Sequence, residues 1–439
     1  MSTTGTGTTQ IFYASTLYGA ATLAATLDSG CFRPAGRRLL LVSTNAAVPE
    51  TTTPLDAMPG FERLRGRFDG VLDWNGTIEP LHPGGWTPRP DDLPLLQRHL
   101  RRLWGLGTDR IELVVESLQV APALTIAQLF PDASIDVYAD GLMSYGPTRN
   151  KIDPLVGERV RRLLHLDLVP GLTPLLLAEF GAVPEAVPAE AFTKVVEELS
   201  GPVAAEEGPA LLLGQYLAAL SLLTPAEEGE LHLRMVRGAV ARGHRRLVFK
   251  PHPTAPDAWS RALVREAQAL GAELTVLDRP VLAEVLYREL RPALVVGCFS
   301  TALFTASAFY GIETARVGTR PLLARLSPYQ NSNRVPVLLA DALVPDLERP
   351  GREPLGLPEL TGLVAAVGFA MQPRIRPDLR EAAVRHLSGP LAAATRHHFT
   401  RRRLTSLGLP GGLPVPRHPG LRRLARRALR LKRQALGGR

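Results

Sequence analysis

Short apolar runs that end in polar residues, with helical stretches between them, occur in both halves of this chain. In the first half the runs lie at residues 11–14, 39–43, 70–73, 111–116 and 135–138, and helical patterns at 20–27, 95–103 and 123–129 fall among them. In the second half, residues 211–214, 246–250, 274–277 and 293–297 have strand character. A Thr-Pro-Ala-Glu capping box at Thr224–Glu227 opens a helix to about Arg242, and further helical stretches cover 281–290 and lead to Tyr310. Runs this short and this apolar are strands buried on both faces, and strands alternating with helices build parallel sheets. The expected fold is therefore α/β, with two Rossmann-like domains facing a cleft. A length of 439 residues suits two or three domains at ~100–200 residues each. The expected boundaries are 1–200 and 210–370, with C-terminal helices and a basic tail over 371–439. A Pro- and Gly-rich connection is expected at 183–209. No internal sequence repeat relates the two halves.

Composition removes several classes. With 45 % hydrophobic and 21 % charged residues, the chain has enough apolar surface to offset its conformational entropy, so disorder is not its main state. Its two cysteines, Cys31 and Cys298, allow neither a disulfide framework nor a four-cysteine zinc site. The most apolar stretch, 164–183, is broken by Asp167, Pro170, Pro174 and Glu179 and does not read as a membrane span. Residues 1–10 lack the charge and apolar run of a secretory signal, so a cytoplasmic, reduced protein is expected. The net charge of +9 is concentrated: residues 396–439 hold 13 Arg and Lys and no acidic residue, which leaves −4 for residues 1–395. A mildly acidic body does not support specific nucleic-acid binding.

Ligands in open α/β sheets sit at the carboxyl ends of the strands, and three polar clusters fall at such ends. Tyr138-Ala139-Asp140-Gly141 offers Asp140 as a general base, although Asp-Gly is also a common turn pair. The polar loop beyond it includes Ser144. In Lys250-Pro251-His252-Pro253, two prolines fix the backbone around one imidazole suited to proton transfer. Lys250, one of only four lysines, adds positive charge that suits a phosphate. In Gly297-Cys298-Phe299-Ser300-Thr301 a strand passes into a helix start, where free N–H groups and hydroxyls favour an anion; a plain N-cap is the simpler alternative. Ser15 and Thr16 after the first run, and Glu116 at the end of the fourth, complete the cleft-facing candidates with Gly141 and Ser144. There is no Walker A loop, His-Glu-x-x-His, Gly-x-Ser-x-Gly or dinucleotide fingerprint, and no Asp-x-Asp pair to clamp a metal-bound diphosphate. Group transfer without a metal remains.

The ordered set Ala139-Asp140-Gly141, His252-Pro253 and Ser300-Thr301 resembles the bacterial sialyltransferases and polysialyltransferases, over roughly residues 11–338. That resemblance implies a GT-B-type fold and inverting transfer of sialic acid, or a related nonulosonic acid, from a CMP-sugar to a hydroxyl of an envelope glycan or glycolipid. It implies no cofactor beyond the donor itself. By this analogy His252 is the general acid on the departing CMP phosphate. Lys250, Pro253, Gly297, Ser300 and Thr301 bind the donor, and the acidic motif supplies the base. Where relatives have a first acidic residue this chain has Ala139, so the base falls to Asp140, with Glu116 or Asp136 as alternatives. CDP-glycerol-type glycerophosphotransferases resemble the same layout, and an inactive GT-B-like shell that binds a nucleotide or glycan is the non-enzyme alternative. In residues 420–436 leucines and alanines fall at helical spacing among arginines. This reads as a basic amphipathic helix on a Gly/Pro-rich tether, suited to an anionic inner-membrane surface.

Overall fold

The computed structural model describes residues 7–139, 141–203, 208–215, 217–252, 257–277, 279–351 and 353–413. Asp140, Pro253 and the basic amphipathic segment at 420–436 lie outside the described residues. Two parallel sheets carry the molecule. The first contains β1 (Thr8–Ala14), β2 (Arg37–Val42), β3 (Gly70–Asp73), β4 (Arg110–Glu116), β5 (Ser134–Tyr138), β6 (Val160–Leu166) and β7 (Val183–Val187), in the order β3-β2-β1-β4-β5-β6-β7. The second contains β8 (Gly208–Leu213), β9 (Arg246–Lys250), β10 (Glu273–Val276), β11 (Pro292–Gly297) and β12 (Glu313–Arg316), in the order β10-β9-β8-β11-β12. Every pairing is parallel. The two facing sheets form the α/β, GT-B-type arrangement expected above. Ile11, Phe12, Tyr13 and Ala14 of the central β1 are all 0 % exposed. Burial on both faces is why these strands are apolar runs rather than alternating ones.

Three strands do not stand out as uninterrupted apolar runs, and each has a physical reason. β6 contains Arg161 and Arg162, whose guanidinium groups lie 2.9 and 3.0 Å from the fully buried Asp136 carboxylate of β5. β7 contains Pro184 and Glu185 and is the sheet's edge, where a missing N–H costs nothing. β12 ends in the buried Arg316, which pairs with Asp341 and Asp346. As a result, the stretch 183–209 is only partly a connection. Its first portion is β7, followed by the helix Ala189–Leu199, whose Phe192, Val195 and Val196 are buried. This helix packs on the helix Leu17–Asp28 that follows β1.

The apolar helix Leu357–Met371 carries the chain back to the first half. A Cβ on Gly368 would lie 2.8 Å from Leu175, Gln372 Nε2 donates to the Arg149 carbonyl, and Arg376 Nη1 donates to the Leu175 carbonyl at 3.3 Å. The expected capping box is present: Thr224 Oγ1 accepts from Glu227 N, and the Glu227 carboxylate accepts from Thr224 N at 2.9 Å, opening the helix Pro225–Ala241. Among the described residues no helix is long and apolar enough to cross a membrane.

Candidate active site

Strand order reverses at β1/β4 in the first sheet and at β8/β11 in the second. Chain leaving the carboxyl ends of such neighbours diverges to opposite faces and opens a crevice. The two crevices merge into one cleft of about 780 Å³. Ser15, Thr16 and Glu116 line it from the first sheet, and Lys250, His252, Ser300 and Thr301 from the second.

On the first side, Ala14 ends β1 and Thr16 caps the next helix, its Oγ1 accepting from Gly19 N at 3.0 Å. Ser15 Oγ donates to Glu116 Oε1, and the Tyr138 hydroxyl lies 3.2 Å from Glu116 Oε2 and 3.0 Å from the Tyr13 carbonyl oxygen. The close fit requires Gly19, because a Cβ there would come within 2.8 Å of the Tyr138 hydroxyl. Glu116 is thus a cleft carboxylate oriented by two hydroxyls at a helix N-terminus. Asp136 does not reach the cleft: it is paired with Arg161 and Arg162 inside the sheet, which removes it as a base.

On the second side, Ser300 caps the helix Thr301–Tyr310, its Oγ accepting from Ala302 N at 3.3 Å. Gln215, just past β8, accepts from Phe299 N at 2.9 Å. Lys250 lies at the end of β9, where burial pushes its pKa down and the Glu284 charge opposes that shift. Burial raises the Glu284 pKa, against the Thr305 hydroxyl, which donates to it at 2.7 Å, and against Lys250. Partial burial, helped by the Lys250 charge, holds the His252 pKa below its ordinary value. Lys250 and two helix N-termini supply positive potential suited to an anion, and His252 beside them supplies an imidazole.

The two sides touch at Gly141. Its φ of +115° and ψ of −141° are open essentially to glycine alone, and a Cβ there would overlap the Thr301 side chain. Leu142 N lies 3.4 Å from Thr301 Oγ1, so the loop after β5 closes against the helix start after β11. Gly141→Ala is expected to cost about 1–3 kcal/mol through backbone strain alone, and to slow transfer by pushing this loop off Thr301. Melting temperature and kcat measured together check it; a variant unchanged in both would show that the close approach is dispensable.

Three expected cleft residues are not at its surface, and one of them is Gly141, buried against Thr301. Ser144 is buried, and its hydroxyl donates to the Gly141 carbonyl at 2.8 Å, holding the loop rather than meeting a ligand. Gly297 lies beneath the cleft, against Leu303. Conversely, Gln215, Glu284, Tyr18 and Asn333 line the cleft without any signal in the motifs above, while Arg149 lines it from the polar loop that follows Asp140. Gln215 was open to detection, since it follows a strand end at a switch point. Glu284 was not, because it sits inside a helix with no motif around it.

The sequence pattern of the alpha-2,8-polysialyltransferase (POLYST) family matches residues 10–319 of this chain. No curated protein matches it in sequence. Among solved structures, the GT-B domain of a sialyltransferase from Photobacterium damselae aligns at 11 % identity with a TM-score of 0.40, covering 75 % of this chain and 95 % of that one. An O-GlcNAc transferase from Thermobaculum terrenum aligns at 15 % identity and a TM-score of 0.37, over 88 % of this chain; this chain spans 65 % of that protein's length. UGT2 from Phytolacca americana aligns at 12 % identity and a TM-score of 0.42, covering 89 % of this chain and 100 % of that one.

Proposed function

The chain belongs to the alpha-2,8-polysialyltransferase family, and from that premise we propose that it moves sialic acid, or a related nonulosonic acid, from a CMP-activated donor to a glycan hydroxyl, with inversion. The observation that carries this reading is the merging of both switch points into one cleft. There a His-Pro imidazole and a Ser-Thr helix start face a carboxylate from the opposite sheet. The donor phosphate sits at the N-terminus of the helix Thr301–Tyr310, held by the Ser300 and Thr301 hydroxyls and the Lys250 ammonium. As the sugar–oxygen bond breaks, its electron pair goes to the phosphate oxygen and the His252 imidazolium donates a proton there. The acceptor oxygen attacks the anomeric carbon from the other face, and its proton passes to a carboxylate. An oxocarbenium-like transition state, an anionic leaving group and a weak alcohol nucleophile call for this combination of acid, base and anion cradle.

We assign the base to Asp140, from its place in the acidic motif and the seating of its neighbour Gly141 against Thr301. A specific observation favours a second assignment: Glu116 lines the cleft with both carboxylate oxygens engaged by hydroxyls.

Purified full-length chain given labelled CMP-sialic acid and labelled CDP-glycerol in separate reactions tests the donor. Transfer or donor hydrolysis is expected only with CMP-sialic acid; turnover of CDP-glycerol alone would move the chain to glycerophosphate transfer. Excess EDTA is expected to leave turnover unchanged at temperatures where the protein stays folded. Here hydroxyls, an ammonium and backbone N–H groups meet the phosphate charge. Loss of activity on chelation, restored by magnesium or manganese, would contradict this.

A further inference from the structure

The helix Arg334–Leu343 buries Asp341, and the turn Arg396–His398 brings two consecutive imidazoles to it. His397 Nε2 is 2.7 Å from Asp341 Oδ2 and His398 Nε2 is 3.7 Å from it. The ring centroids are 4.1 Å apart and tilted by 38°. Consecutive side chains on a 3₁₀ turn ordinarily splay by roughly 120°, at three residues per turn. Two neighbouring rings turned onto one carboxylate oxygen are therefore a convergence that the fold enforces. The Tyr329 hydroxyl helps enforce it by donating to the His398 carbonyl at 3.0 Å.

The carboxylate's other oxygen is held separately. Asp341 Oδ1 accepts from Thr319 Oγ1 at 2.9 Å and lies 3.1 Å from Arg316 Nη2. Arg316 in turn meets Asp346 at 3.0 Å, so its charge is shared. One oxygen is pinned by outer partners while the other faces two nitrogens, which is how proteins orient a carboxylate that binds a metal. The Asp341 side chain is 0 % exposed and that of His398 1 %, but that of His397 is 29 % exposed and leaves a way in from solvent.

We infer that Asp341, His397 and His398 form a site for a divalent transition metal of the zinc class, bound through Asp341 Oδ2 and the two Nε2 atoms. Each of the three residues offers a ligand atom within 4.8 Å of those of the other two. Two imidazoles and one carboxylate suit zinc, whereas calcium and magnesium prefer oxygen throughout. Water completes the coordination on the His397 side. Each ring binds the ion as a neutral imidazole with its proton on Nδ1, so the proton that joins His397 Nε2 to Asp341 passes through solvent to His397 Nδ1. Its role is structural. It fastens the chain after residue 395 to the helix Arg334–Leu343, near whose first turn Asn333 and Pro336 line the cleft. The proposal is independent of the transfer chemistry.

The test uses the untagged full-length chain, stripped with a chelator and titrated with Zn²⁺ or Co²⁺. One retained ion per chain, a tetrahedral Co²⁺ visible spectrum and a higher melting temperature with metal are expected. At free zinc about 100-fold above Kd the folding equilibrium shifts roughly 100-fold. His397→Gln should keep the circular dichroism of the parent but lose the ion and the thermal gain. His397→Cys should keep the ion and add a thiolate-to-cobalt absorption band, which only a direct ligand produces. Failure of the parent chain to retain an ion would overturn the site, as would parent-like Co²⁺ spectra in both variants. If His397→Gln does not fold, the presence or absence of the thiolate band in His397→Cys decides.

Discussion

Replacing His252 by alanine is expected to lower transfer at least ~100-fold while leaving the fold intact, since a positioned general acid contributes typically 10²–10⁴. His252 follows β9, has a proline on each side in the sequence, and lines the cleft beside Lys250. Its replacement removes no packed apolar core. The pH profile carries a second signature. Partial burial and the Lys250 charge both disfavour the imidazolium, so the His252 pKa lies below its ordinary value in the empty enzyme. A general acid works only while protonated, so kcat/KM should fall as pH rises through that lowered pKa. The donor's phosphate anion favours the imidazolium, so the matching fall in kcat should come at higher pH. Near-wild-type turnover of His252→Ala on CMP-sialic acid, or an alkaline limb that survives the substitution, would remove His252 from the mechanism.

Asp140→Asn is expected to abolish transfer while CMP still binds, because the amide keeps the size of the side chain but cannot take a proton. Glu116→Gln is expected to do less. Glu116 accepts from Ser15 and faces the Tyr138 hydroxyl, so the amide retains much of its positioning. Turnover and CMP binding measured on both variants separate catalysis from donor capture. If Glu116→Gln proves the more damaging, the base is Glu116, and Ala139 marks where the acidic motif lost its first member.

The clearest features of the fold were legible because they depend on local pattern. β1, β4, β9 and β11 are buried on both faces and therefore stand out as apolar runs. The helix from Thr224 announces itself by a cap whose partners are three residues apart. What could not be read depends on partners distant in sequence. β6 passes for a non-strand until Asp136 is seen to neutralise Arg161 and Arg162. β12 reads as polar until Asp341 and Asp346 are set beside Arg316. In the cleft, Ser15, Thr16, Glu116, Lys250, His252, Ser300 and Thr301 were found from strand ends and motifs. Ser144 was misjudged because a hydroxyl in a polar loop gives no sign that it will turn inward to a carbonyl. The pairing of Asp341 with His397 and His398 spans chain segments that share no pattern at all.

The approach of Leu142 to Thr301 has a thermodynamic consequence. A hydroxyl can accept one hydrogen bond and donate another at the same time. Thr301 Oγ1 lies within reach of an N–H of the first half, and its own proton can be donated to the donor phosphate in the binding mode proposed above. A phosphate that takes that proton strengthens the oxygen as an acceptor, and so tightens its hold on the loop beyond β5. Coupling of this kind is reciprocal: whatever steadies that loop from the acceptor's side must raise donor affinity by the same factor. Under the proposed function, donor and acceptor would then bind cooperatively, with a single threonine hydroxyl as the point of exchange between them.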